Sequence, residues 1–290
     1  MGDVAHSAPD GIRFGDLESD FPEQRINTDA GVVGFRECGQ GPLAVLLLHG
    51  ISSGSASWTR CAGFLGQNAR VIAWDAPGYG ASSPLLPPVP QASDYAGRLD
   101  ALLSALGVER CMVVGHSLGA LMAAAYGSLA GQRAAHIVLI SPALGYQYEG
   151  KKHLAVSVRA KRLQMLEEKG IDAMARTLPD RLLTADATLE QRASITRNAL
   201  RLNTGGYRQA VEMLCSEDIA RYALDASRGQ VLCGDHDVVT TPEQSADFAH
   251  RAGLPFALVQ GAGHACYIEQ PERVATALGD AVERLGEGAG

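Results

Sequence analysis

Six short runs along the chain, "LAVLLLHG", "RVIAWD", "CMVVGH", "HIVLIS", "GQVLCGD" and "PFALVQG", are apolar almost throughout, with no polar-apolar alternation. Strands of that composition belong in a sheet covered on both faces, whereas an alternating pattern would suit a sheet with one wet face. Stretches with helical spacing lie between the runs. One covers 55–65, one covers 94–106 with Tyr95, Leu99, Leu102 and Leu103 on one side, and one begins near Leu118. Strands alternating with helices build a mostly parallel sheet flanked by helices, the α/β class. "GVVGFRECG" adds a strand ahead of the six, and the polar, turn-rich residues 1–23 are expected to form an arm.

The alternation breaks once. Between "ISPALG" and "RGQVLCG", residues 151–225 are helical in character with no buried strand, and "VRAKRLQMLEEKGIDAMARTL" is the clearest case. This predicts a helical cap inserted into a core domain made of residues 24–150 and 226–290. The cap carries 13 Lys and Arg against 10 Asp and Glu, although the whole chain has a net charge of -7. A basic cap over an acidic body favours an anionic small molecule. Arg159, Arg162 and Arg176 are the cap arginines whose helical spacing points them inward, and a guanidinium grips a carboxylate through two parallel hydrogen bonds.

The overall acidity excludes the basic face that nucleic-acid binding requires. No run has the length of a membrane span and the start has no secretory leader, so a cytoplasmic protein with no membrane partner is expected. Six cysteines are scattered without close pairs or metal-ligand spacing, which predicts reduced thiols and neither a metal nor a cofactor.

The chemistry concentrates at "CMVVGHSLGALMAAA". A serine hydroxyl is a weak nucleophile that needs a base, and it must stand clear of the chain to react. Ser117 lies between Gly115 and Gly119 in a Gly-x-Ser-x-Gly pattern, after a buried strand and before a helix. That context suits a sharp, strained turn whose neighbours must be small. His264, in the Gly-flanked loop of "VQGAGHACYIEQPERV", has the placement of the base. Between them in the chain, "CGDHDVVTTPEQ" offers Asp235 and Asp237. Asp237 is taken as the carboxylate that holds the imidazole, and Asp235 as a loop cap.

An oxyanion needs preorganised donors, and the amides of Ile51, after "HG", and of Leu118 are placed to supply them. Ser52 and Ser53 read as turn residues whose hydroxyls can also reach substrate. Asp75 reads as a loop organiser, and Trp58 and Trp74 as core.

The phrases "HGISSG", "WDAPGYGASS", "GHSLGA", "GDHD" and "GAGH", in that order, resemble the α/β-hydrolase fold superfamily from residue 31 to the last helix. The resemblance implies an α/β-hydrolase fold with a helical cap, a triad of Ser117, Asp237 and His264, and an oxyanion hole at Ile51 and Leu118. The cap phrases "AKRLQMLEEKGIDAMARTLPDRLL" and "GYRQAVEMLCSEDI" resemble those of 3-oxoadipate enol-lactonases and nearby esterases. The implied activity is cleavage of a small carboxylic ester or lactone. Dehalogenases and epoxide hydrolases of this fold place Asp at the nucleophile, which Ser117 excludes. Carbon-carbon hydrolases of ring-fission products share the triad but often have Asn where this chain has His116. A ligand-binding receptor on the same fold is the third alternative.

Overall fold

All six apolar runs become strands of one sheet. The structure is a computed structural model that describes residues 19–287. The strands are β1 (Glu23–Thr28), β2 (Gly31–Cys38), β3 (Ala44–Leu48), β4 (Arg70–Trp74), β5 (Cys111–His116), β6 (Ala134–Ile140), β7 (Gly229–Gly234) and β8 (Phe256–Val259). Their order across the sheet is β1-β2-β4-β3-β5-β6-β7-β8. The β1–β2 and β2–β4 pairs are antiparallel, and every later pair is parallel.

In chain order the helices are α1 (Thr59–Leu65), α2 (Ala92–Ala105), α3 (Leu118–Leu129), α4 (Ala155–Leu182), α5 (Leu189–Leu200), α6 (Thr204–Ser216), α7 (Pro242–Ala252), α8 (Cys266–Glu269) and α9 (Pro271–Glu287). The helix expected over 55–65 is a 3-10 turn, Ser55–Trp58, running into α1. Every residue of β3 and β5 is buried. Leu46 and Leu48 pack with Trp74, Leu99 and Leu121 on one face of the sheet. Val45 and Leu47 pack with Trp58, Val274 and Leu278 on the other. Successive side chains of a strand point to opposite faces, so two helical layers satisfy the continuous apolar runs.

Two strands differ from the sequence expectation. Residues 23–28, of which only Glu23 belongs to the expected arm and for which no strand is expected, form β1, a largely exposed edge strand paired along its length with β2. Its polar residues carried no apolar signal because one side of the strand faces water. Residues 1–18 of the arm lie outside the described residues. The apolar run "PFALVQG" predicts a strand buried on both faces, yet β8 is the opposite edge, and only Val259 of its four residues is buried.

Among the described residues, the chain from 151 to 225 contains helices and no strand. There α4 packs along both α5 and α6. The helix α4 is not continuous, since Gly170 takes φ 72° and ψ 175° within it, a conformation that glycine adopts without the Cβ penalty. Glu217, fully buried after α6, ties this region to the core by accepting from the Ala92 amide at 2.7 Å and the Tyr222 hydroxyl at 3.0 Å. No described helix is long and apolar enough to cross a membrane. Five of the six cysteines are buried, Cys38 partly so, and none is disulfide-bonded.

Sheet order positions the site. From β3 the chain runs outward to β4, then returns to place β5 on the other side of β3. Such a reversal opens a crevice at the carboxyl ends of the strands flanking it. The register pairs Leu48 with Gly115, so the loop after β3 and the turn after β5 emerge side by side.

Candidate active site

The turn after β5 carries Ser117 at φ 53° and ψ -114°, one of two described non-glycine residues with positive φ. The conformation is strained for an L-residue and is held by its surroundings. The Ser117 amide donates to the Ile140 carbonyl at 2.9 Å, and its carbonyl accepts from the Ala120 and Ala143 amides. The flanking glycines are required by close approach. A Cβ on Gly119 would stand 2.5 Å from the Leu48 carbonyl oxygen, and one on Gly115 would collide with the Gly119 carbonyl.

His264 and Asp237 meet across the loops that follow β8 and β7. The His264 Nδ1 donates to Asp237 Oδ2 at 2.8 Å, with both side chains almost fully buried. Asp237 Oδ1 accepts from the Val239 amide at 2.7 Å and the Thr240 amide at 3.0 Å. Burial alone would raise the pKa of this carboxyl. The hydrogen bond and charge of His264, with the two amides, instead hold it well below the usual carboxylate range. An ionised Asp237 fixes the proton on Nδ1 and leaves His264 Nε2 as an acceptor. The Thr240 hydroxyl lies 3.0 Å from both Asp237 Oδ2 and the Ser141 carbonyl and 3.2 Å from His264 Nδ1, bracing the pair.

Asp235 lies elsewhere in the same loop, where it accepts from the Ala262 amide and pairs with the exposed His236. Among the described residues the Ser117 hydroxyl makes no hydrogen bond. Contacts of this kind tighten on substrate binding.

The loop after β3 supplies Ile51. His49 Nδ1 donates to the Gly50 carbonyl at 2.8 Å, and its Nε2 accepts from the Ala76 amide at 3.0 Å. Burial lowers the pKa of His49, which suits a neutral ring that donates at one nitrogen and accepts at the other. The Gly50 carbonyl and the Ile51 amide belong to one planar peptide, so holding the first orients the second. Tyr79 adds a bond from its hydroxyl to the Ile51 carbonyl at 2.8 Å. The Leu118 amide, first in α3, has no acceptor within the helix. Asp75 organises the adjoining loop by accepting from the Ser55 amide at 2.8 Å.

Ser117, His264, Ile51 and Ser52 line one cavity of about 60 Å³, roofed by Arg162, Leu178, Arg181 and Leu182 of α4. Residues 45–277 match the alpha/beta hydrolase family along most of the chain. The chain belongs to that family. An uncharacterized Mycobacterium tuberculosis protein is 30% identical over 275 residues, covering 87% of this chain and 77% of that protein. Among solved structures, an esterase from Thermogutta terrifontis is similar with a TM-score of 0.79 and 24% identity, covering 91% of this chain and 99% of the other. The enol-lactonase from Burkholderia xenovorans LB400 is similar with a TM-score of 0.78 and 20% identity, covering 90% and 100%.

The cap arginines of this alpha/beta hydrolase divide differently from the sequence expectation. Arg162 lines the cavity, with the Tyr207 hydroxyl 3.3 Å from its Nη1. Arg159 does not. It is exposed and forms a two-pronged pair with Glu212 at 2.5 and 2.7 Å. Arg176 is exposed and lines no part of the cavity. The break at Gly170 accounts for Arg176, because helical spacing counted from Arg162 runs through a residue that resets the phase of the helix, whereas Arg159 lies before the break and is held outside by Glu212.

Arg181 was missed, although Leu178, Arg181 and Leu182 fall at i, i+3 and i+4 beyond the break and share a face. Burial and the neighbouring Arg162 both lower the pKa of Arg181. Among the described residues neither Arg162 nor Arg181 has a carboxylate partner, whereas Arg192 and Arg208 of the cap are paired with Asp180 and Glu167.

Proposed function

We propose that this alpha/beta hydrolase is a serine hydrolase that cleaves small carboxylic esters or lactones through an acyl-enzyme on Ser117. The reading is carried by the hydrogen bond from His264 to Asp237, buried beside a cavity that a strained serine also lines. His264 Nε2 takes the hydroxyl proton as Ser117 Oγ attacks the substrate carbonyl. The amides of Ile51 and Leu118 receive the oxyanion. Collapse of the tetrahedral intermediate breaks the carbon-oxygen bond, and His264 returns the proton to the leaving oxygen. In a lactone that oxygen stays attached to the acyl chain. Water, deprotonated by His264, then cleaves the Ser117 ester and releases the acid.

The substrate carries a carboxylate of its own. Two cavity guanidiniums without carboxylate partners support this, Arg162 half-buried and Arg181 more exposed, since an anion in the cavity would complete their hydrogen bonds. The small cavity supports a compact acyl group, and Ser52 is within the lining to meet its polar end.

The deciding experiment is turnover of a short-chain p-nitrophenyl ester by the wild type and by Ser117→Ala. Turnover by the wild type alone is the expected result, and equal turnover by both would remove Ser117 from the mechanism.

A further inference from the structure

His264 stands between Gly263 and Ala265, and both neighbours are bonded to residues 182–184 or to a side chain that holds them. The Ala265 amide donates to the carbonyl of Leu182, the last residue of α4, at 3.0 Å. The Gly263 amide donates to Glu269 Oε2 at 2.7 Å. The other oxygen of that carboxylate, Oε1, accepts from the Thr184 amide at 2.8 Å and the Thr184 hydroxyl at 2.6 Å.

The contact is close as well as bonded. A Cβ on Gly263 would stand 3.0 Å from the Leu182 carbonyl oxygen and 3.3 Å from Glu269 Oε2. From α5, the Gln191 side-chain amide donates to the carbonyls of Ile268 at 3.3 Å and Glu269 at 3.1 Å.

Glu269 is 8% exposed, and among the described residues no cation pairs with it. A buried carboxylate is costly unless several donors satisfy it. Its three donors come from two segments only, the His264 loop and the end of α4. We infer that Glu269 is a positioning residue that couples the seating of the cap to the placement of His264. Arg181 directly precedes this clamp, so the cation in the cavity and the proposed base are carried on one hydrogen-bonded unit. The inference rests on the proposed role of His264 as base.

The test compares wild type, Glu269→Gln and Thr184→Val for thermal unfolding, for kcat and KM on a short-chain p-nitrophenyl ester, and for the low-field proton signal of His264 Nδ1 on Asp237. Glutamine keeps the size of the side chain but sets an NH2 group against one of three donors. For folded Glu269→Gln, kcat falls about tenfold or more with KM within about twofold, the signature of lost alignment rather than lost binding. The low-field signal shifts or broadens. Thr184→Val, which removes one donor, shows a smaller change in the same direction. Wild-type kcat and an unaltered signal in folded Glu269→Gln would overturn the inference, even with a lowered melting temperature. If Glu269→Gln does not fold, the same two readouts on Thr184→Val decide. If the wild type turns over no ester, the proposed activity fails separately and the proton signal alone decides the coupling.

Discussion

His116 donates from Nε2 to the main-chain carbonyl of His264 at 2.9 Å. The residue before the candidate nucleophile thus holds the backbone of the candidate base. A carbonyl only accepts, so the proton is on Nε2 and the buried Nδ1 is bare. The rings of His116 and His264 lie 4.8 Å apart, and His116 also meets the edge of Tyr267 at 4.8 Å.

This arrangement predicts acid sensitivity. Burial first, then the neighbouring His264, push the pKa of His116 from 6.5 down to about 3. Between those values the unfolded chain binds a proton that the folded protein does not, so folding loses stability as pH falls below about 6.5. From pH 7 to pH 5 the loss from this group is about 2 kcal/mol. Urea unfolding of wild type and His116→Gln at the two pH values measures it. The wild type should lose more stability than the variant by about that amount, and equal losses would show that His116 is protonated in the folded state.

The arginine assignment gives a second prediction. Arg162→Gln and Arg181→Gln are each expected to raise KM for an ester bearing a carboxylate by about 10- to 100-fold, the value of a charge-assisted hydrogen bond, and to leave a neutral ester of similar size little changed. Arg159→Ala and Arg176→Ala, outside the cavity, should behave as wild type on both. Steady-state kinetics with the matched pair of esters checks this, and equal effects on the two would remove the anionic substrate.

The turn itself makes a third. Gly119→Ala forces a Cβ against the Leu48 and His49 carbonyls, both backbone atoms that cannot rotate away. The loss of stability should be about 1–3 kcal/mol or more, as for overpacking elsewhere. Gly97→Ala, in α2 with open space around it, should stabilise or leave stability unchanged, because alanine is the better helix former. Thermal unfolding of the two variants separates a glycine required by contact from one that is not.

How much of this was legible in the chain depended on range. The buried strands and the Gly-x-Ser-x-Gly turn are written locally, in continuous apolar runs and in small residues beside one serine. Asp235 and Asp237 stand two residues apart with no local sign of which one meets the imidazole, and their side chains go to different partners. β1 was invisible because an exposed edge strand needs no apolar face. Arg181 was obscured by one glycine in a left-handed conformation that no periodicity count registers. The roles of Glu269 and His116 depend on contacts with residues 85 and 148 positions away, and nothing local announces them.

The loop after β3 allows the orientation of one peptide to be tested apart from the nucleophile. His49 bonds the Gly50 carbonyl, at the opposite edge of the peptide from the Ile51 amide, and Tyr79 bonds the next carbonyl along while its ring lies 4.9 Å from that of His49. Losing the Tyr79 hydroxyl removes one neutral hydrogen bond, about 1 kcal/mol, so Tyr79→Phe should lower kcat about fivefold. His49→Ala leaves the Gly50 carbonyl held by the Ser53 amide alone, at 3.2 Å, and should cost more, about 10- to 100-fold, approaching the loss of an oxyanion donor itself. In both variants KM should stay near the wild-type value, because the oxyanion exists only after attack. A change in KM with kcat preserved would mean that the loop binds substrate and does not stabilise the tetrahedral intermediate.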